Sequence, residues 1–322
     1  SSARLSFCFF AAAPRTLNGW AKMARAMGIE ADIVEYGTQS TIDLNALAKA
    51  LHAHPIDYYK AVLVTHVDTS TSVKNDIAAV RALLDDLGSH ALLAVDCVAS
   101  LGCDEFKMDA WGADVTVAAC QKGLMVPAGM AFVYFNDKAA QRQKQLPYIS
   151  SYWEWGQRAN PEILAHYFCG TAPTHHLYGL RVALDMIRAE GIENIWTRHA
   201  TLAKAIWAAV ESWGTDGPMR MNIQDKSLRS TAVTALHMGI PHAKNLRNWT
   251  QHTAGLTLGI GLGMSTPEDP KGDGFFRFGH MGHVNAQMIL GMLSTVQAGL
   301  IANNIPHGTG AIDAAAHVIA GA

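Results

Sequence analysis

The sequence predicts an α/β protein, with a mostly parallel sheet in a large domain over residues 1–190 and a smaller C-terminal α+β domain over residues 191–322. Three observations predict it. Helical and strand patterns alternate through the first half, which argues for a parallel sheet covered by helices. The strand segments are short, apolar and rich in β-branched residues, as buried strands are. A second alternation begins near residue 191.

The elements follow in order. The run from Leu5 to Ala13, after Arg4, reads as a buried strand, although an apolar centre ending in small residues also has the form of a secretory core. Residues 18–27 read as a helix closed by Gly28, and Ala31 to Tyr36 as a strand. Asp43 can cap a helix running to His52. Ala61 to Thr65 is a strand. Over 75–87 the apolar positions Ile77, Val80, Leu83, Leu84 and Leu87 form a helical stripe ended by Gly88. Strands are expected at 91–96, 114–119 and 131–135. The stretch 145–175 is irregular and aromatic-rich (Tyr148, Tyr152, Trp153, Trp155, Tyr167, Phe168), a pattern of functional or interface segments. Beyond it, a helix is expected at 193–213, a strand at 231–237 and a C-terminal helix near 284–300.

Charged residues make up 16% and apolar ones 49% of the 322 residues, a low charge fraction that suggests extra buried surface such as a subunit interface. A net charge of −2 offers no general attraction to nucleic acid or anionic membranes. No segment approaches the length of a membrane span. Cys8, Cys97, Cys103, Cys120 and Cys169 form no CxxC pair, so they read as reduced residues of a cytoplasmic protein. No metal is expected: no HExxH spacing occurs among the histidines, and His175 and His176, adjacent on a helix, face different directions.

Lys122 carries the chemistry. It emerges where the apolar run from Asp114 to Ala119 ends. An ammonium at the lip of a core is costly unless paired or neutralised. A desolvated lysine has a lowered pKa and can form a Schiff base with a carbonyl; a snorkelling surface lysine is the bland alternative. Asp96 ends another apolar strand, and ligands of open parallel sheets bind at the carboxyl ends of strands. Alone it can be a turn or cap residue. Together, an acid and a Schiff-base lysine suit pyridoxal phosphate, whose ring nitrogen the acid keeps protonated.

Four ordered segments make the pattern specific: Thr65-His66-Val67-Asp68-Thr69-Ser70-Thr71, Val95-Asp96-Cys97-Val98-Ala99-Ser100-Leu101-Gly102, Gln121-Lys122-Gly123-Leu124, and Phe276-Arg277-Phe278-Gly279-His280-Met281-Gly282. Over roughly residues 18–318 the chain resembles the class V aminotransferases, most of all the serine–glyoxylate and alanine–glyoxylate enzymes. The resemblance implies the type I fold of pyridoxal-phosphate enzymes, a homodimer, and an amino acid and a 2-oxo acid as substrates. It implies that Lys122 holds the cofactor, Asp96 pairs with its ring nitrogen, Thr69 sits near its phenolic oxygen and Gln121 contacts its phosphate. Phe168 and Thr171 fall where the family reaches the neighbouring subunit's phosphate; phenylalanine has no hydroxyl, so Thr171 keeps the hydrogen bond while Phe168 can equally serve packing. Arg277 matches the residue that grips the substrate carboxylate, and alternation sends it to the side opposite Phe276 and Phe278.

The chain departs from the family at its start. The glycine/serine-rich turn that binds the phosphate in the family has no counterpart ahead of residue 18, and the ring-stacking aromatic falls near Thr16, where Ala12 to Leu17 does not match. Weakened phosphate binding is the expected consequence. Three other readings stay open: a pyridoxamine–pyruvate aminotransferase, a desulfurase using Cys169, and a truncated, inactive family member serving as a structural subunit.

Overall fold

Caps and turn glycines shape the first half much as the sequence suggests. The computed structural model describes residues 7–12 and 16–321. Leu5, Ser6 and residues 13–15 lie outside them. Strand β1 (Phe7–Ala12), helix α1 (Thr16–Ala26), β2 (Ala31–Glu35), α2 (Leu44–His52), β3 (Tyr59–Thr65), α3 (Ile77–Asp86), β4 (Leu92–Asp96) and β5 (Val115–Ala119) alternate in sequence. Asp43 accepts hydrogen bonds from the Asn45 and Ala46 N–H groups, and Asp76 from Ala79 N–H, which satisfies donors that a helix start leaves open. Gly28 and Gly88, with φ of 76° and 62°, take the left-handed turn after α1 and α3.

The strands form one sheet of order β2-β1-β3-β4-β5-β6. All neighbours are parallel except β6 (Ala131–Phe135), which runs antiparallel to β5. The connection over 120–130 is too short for the helical crossover that a parallel return needs. Leu47, Val62, Val64, Ile77, Leu84, Leu93 and Val95 form the core between this sheet and α2 and α3.

The stretch 145–175 is less irregular than its composition suggests. After α4 (Asp137–Lys144), which the sequence reading did not anticipate, it holds α5 (Trp155–Ala159), a 3-10 turn (Leu164–Tyr167) and the first residues of α6 (Thr174–Glu190). Gly191, at φ 85°, separates α6 from α7 (Ile192–Trp213). Beyond it lies a second, antiparallel sheet of order β7-β8-β10-β9, made of β7 (Arg220–Met221), β8 (Val233–His237), β9 (Gly259–Ile260) and β10 (Phe275–Gly279). Helices α8 (His242–His252), α9 (Ala286–Ala302) and α10 (Ala311–Ala320) complete this half, whose core includes Ile206, Trp213, Phe276, Phe278, Leu293 and Leu300. Among the described residues no helix is long and apolar enough to cross a membrane.

Candidate active site

The carboxyl ends of β3, β4 and β5 lie side by side, because Thr65 pairs with Asp96 and Asp96 with Val117 in parallel register. Three loops therefore leave the same edge of the sheet, where ligands of such sheets bind.

Asp96 ends β4 and is buried. Its Oδ1 accepts the Val98 N–H at 2.8 Å; among the described residues Oδ2 accepts no hydrogen bond. Burial pushes its carboxyl above the ordinary value, with Asp68 adding to the rise and the Val98 N–H and Lys122 opposing it. Lys122 is half-buried after β5; its carbonyl accepts the Met125 N–H at 3.0 Å, while its Nζ makes no hydrogen bond or ion pair with the described residues. Burial, and next the positive charge of Arg277, hold its ammonium below the usual lysine range, while Cys103 and Asp96 pull the other way. Such a lysine carries more neutral, nucleophilic amine than a surface one.

Close backbone packing holds Lys122 there. A Cβ on Gly123 would lie 2.1 Å from the Leu101 carbonyl oxygen and 3.0 Å from Cys103 Sγ, so the lysine loop rests directly on the turn that follows Asp96. Gly282, at φ 81°, brings the second half of the chain against Met125 and the Lys122 carbonyl. Arg198 fixes that approach. It pairs with both oxygens of Glu190 and donates through Nη1 to the Gly282 and Val284 carbonyls at 3.1 and 2.8 Å. His280, two residues before Gly282, is buried with its Nε2 2.9 Å from Thr234 Oγ1, and burial lowers its pKa to about 4, so it packs as a neutral ring.

Arg277 reaches the crevice from β10, while Phe276 and Phe278 enter the core on the opposite face, as alternation requires. Its Nε donates to the Ile260 carbonyl at 2.9 Å and its Nη1 to the Thr69 carbonyl at 2.8 Å. Two backbone acceptors thus aim the fork. Asp104 closes the seam between the halves, accepting from Ser230 Oγ at 2.6 Å and from Thr231 N and Oγ1 at 2.9 and 3.0 Å. Asn222 Nδ2 adds bonds to the Thr38 and Thr71 carbonyls at 2.8 and 2.9 Å.

Four of the expected residues, Asp96, Thr69, Lys122 and Arg277, thus meet at one crevice. Gln121 is exposed beside Lys122. Phe168 is half-buried, its ring 6.3 Å from that of Tyr167, and Thr171 is exposed; no contact among the described residues joins either to Lys122 or Asp96. Cys169 is exposed on the same segment and likewise makes no described contact with the lysine. The sequence reading missed Arg198, Asn222 and Asp104, whose bonds to distant carbonyls and hydroxyls leave no local pattern.

Chemically the crevice offers an amine that can condense with a carbonyl, a buried carboxylate with an oxygen left for a protonated ring nitrogen, and a guanidinium for a carboxylate. That donor set fits pyridoxal phosphate and an amino acid. The family model for aminotransferase class-V matches residues 14–258.

The chain belongs to the class V aminotransferases.

It is 36% identical over 282 residues to serine–glyoxylate aminotransferase of Arabidopsis thaliana, covering 86% of this chain and 67% of that one. It is 34% identical over 296 residues to serine–glyoxylate aminotransferase of Methylorubrum extorquens, covering 89% of this chain and 70% of that one. In fold it is similar to ureidoglycine–glyoxylate aminotransferase of Bacillus subtilis, with a TM-score of 0.83 at 24% identity over 98% of this chain and 78% of that one. As a member of the family, the chain is a pyridoxal-phosphate-dependent transaminase.

Proposed function

We propose that this class V aminotransferase moves an amino group from serine or alanine to glyoxylate or pyruvate. The observation that carries the proposal is the meeting of Lys122, Asp96 and Arg277 at one crevice, in a chain about a third identical to two serine–glyoxylate enzymes. Bound at the strand ends, pyridoxal phosphate supplies a carbonyl and an electron-withdrawing ring. Lys122 Nζ would hold the cofactor and, once the substrate amine displaces it, would be the free amine that moves the proton at the substrate Cα. Asp96 would keep a proton on the ring nitrogen, and Thr69 would stand near the phenolic oxygen. Arg277 would orient the substrate carboxylate in a bidentate grip. Gln121 would contact the phosphate. The large domain spans residues 1–190 and the small one 191–322, so Arg277 comes from the second domain and the lysine from the first.

A panel of amino donors, assayed with glyoxylate and with pyruvate alongside absorbance spectra, tests this reading. Serine or alanine turnover and a cofactor band near the visible edge are expected. No band after adding cofactor, together with no turnover, would leave a structural subunit instead.

The active unit is a homodimer in which Thr171 of the partner subunit reaches the phosphate and Phe168 packs beside it. Support comes from the apolar side chains left exposed on one protomer, among them Tyr148, Trp153, Leu164, Tyr178 and Val182. Cofactor binding and dimerisation are then thermodynamically linked. Removing cofactor is expected to loosen the dimer in a sedimentation dilution series, and Thr171→Ala to weaken phosphate binding without preventing attachment to Lys122. A monomer that binds cofactor tightly at every concentration would sink the shared site. The free, buried thiols of Cys97, Cys103 and Cys120 support a reducing, cytoplasmic location.

A further inference from the structure

The loop that carries Lys122 lies between two walls. One is the turn after Asp96: a Cβ on Gly123 would lie 2.1 Å from the Leu101 carbonyl oxygen and 3.0 Å from the Gly102 carbonyl carbon. That wall is continuous with the large sheet. The other is the turn at Gly282, beyond β10, which runs at φ 81°. A Cβ there would lie 3.0 Å from Met125 Cγ and 3.5 Å from the Lys122 carbonyl oxygen. This second wall is a loop, and a side chain ties it down. Arg198, on α7, donates through Nη1 to the Gly282 and Val284 carbonyls at 3.1 and 2.8 Å. Its Nε and Nη2 grip the two oxygens of Glu190, the last residue of α6, at 2.5 and 3.0 Å. The side chains of the pair are only 23% and 27% exposed, so solvent screens this double bond less than a surface pair. Gly123, Met125, Glu190, Arg198 and Gly282 line one cavity of about 10 Å³, barely the room of one water.

We propose that Arg198 is a positioning residue for Lys122: paired with Glu190, it holds the Gly282 turn down on the lysine loop and so keeps the amine half-buried at the strand ends. Arg198 acts through the turn. It hydrogen-bonds the Gly282 carbonyl, and Gly282 packs on the Lys122 backbone. Without the strap the turn is free to lift and water reaches the amine, which then titrates closer to an ordinary lysine. The proton-moving atom also loses its fixed place, and a displacement of about 1 Å costs up to a hundredfold in rate. The anchors of Arg277 are separate, being the Ile260 and Thr69 carbonyls. The inference rests on the transamination reading above, in which Lys122 moves the Cα proton.

Two variants test this. Arg198→Met keeps the length and apolar stem of the side chain and removes the fork; Glu190→Gln removes the charge that anchors it. Competitive acetylation of the cofactor-free full chain, read residue by residue by mass spectrometry, gives the pH at which Lys122 is half reactive. Arg198→Met is expected to raise that midpoint by about one pH unit, and Glu190→Gln to raise it less. The buried thiol of Cys97, in the core of the large sheet, reports general loosening and is expected to stay unreactive. With cofactor bound, kcat and kcat/KM of Arg198→Met are expected to fall together by about tenfold to a hundredfold, leaving KM for serine in place. An unchanged Lys122 midpoint would overturn the proposal. So would a shift accompanied by exposure of Cys97, or one that leaves kcat intact. If no donor turns over even in the unmodified protein while the Lys122 midpoint shifts alone, the positioning stands and the transamination reading falls. If Arg198→Met fails to fold, Glu190→Gln decides by the same readouts: a shift confined to Lys122 supports the strap, and no shift overturns it.

Discussion

Lys122→Ala is expected to abolish the borohydride-reducible attachment of the cofactor and to slow transamination by about 10⁴-fold or more, the upper range for loss of a positioned proton carrier. Two functions vanish together, since Lys122 both holds the cofactor and moves the Cα proton. Mass spectrometry of the borohydride-treated protein reads the first and steady-state kinetics the second. A reduced adduct on another lysine would remove Lys122 from its role. Stability should move the other way. Burial and Arg277 lower the Lys122 pKa in the folded state, so the folded protein binds fewer protons than the unfolded one once pH exceeds the lowered value. The contribution of this group to stability therefore rises with pH from that value up to the ordinary 10.5 and is unfavourable below it. The cofactor-free alanine variant is expected to lose this pH dependence and to melt no lower than the parent near neutrality, as thermal melts across pH would show.

The second large effect is at Arg277. Losing a bidentate charged grip costs about 3 kcal/mol or more, on the order of a hundredfold in kcat/KM. Arg277→Ala is expected to show that loss for every amino acid and 2-oxo acid, while the cofactor absorbance stays. Arg277→Lys is expected to recover little, because an ammonium cannot reproduce a fork held at Nε by Ile260 and at Nη1 by Thr69. Unchanged kinetics in the alanine variant would place the carboxylate elsewhere.

What the sequence made legible was whatever depends on near neighbours. Asp43, Gly28 and Gly88 act within a turn of themselves, and the strands from β3 to β6 announce themselves by apolar runs. Helix α8 was missed because His242 to His252 is largely polar, with few apolar positions to mark a stripe. Helix α10 was missed for the opposite reason, being mostly apolar and short. Strands β7 and β9, two residues each, exist only through their partners. The reversal of β6 follows from the length of a loop rather than from the strand's own residues. At the site, Lys122 and Asp96 stood out because charges at the ends of apolar strands are costly to place without a task. Arg277 stood out because its segment, Phe276 to Gly282, resembles the family's carboxylate-gripping motif. Arg198 and Asn222 showed nothing, since the acceptors that tie them to distant segments are backbone carbonyls that any sequence can present.

The seam between the halves also dictates when the crevice comes into being. Its hydrogen bonds join residues 126 apart from Ser230 to Asp104 and 208 apart from Arg277 to Thr69. Contacts so distant along the chain form late, after the local elements and each half's own core. A nascent polypeptide emerging from the ribosome has Asp96 and Lys122 well before Arg277 has been synthesised. It gains its hold on a substrate only once the second sheet has docked.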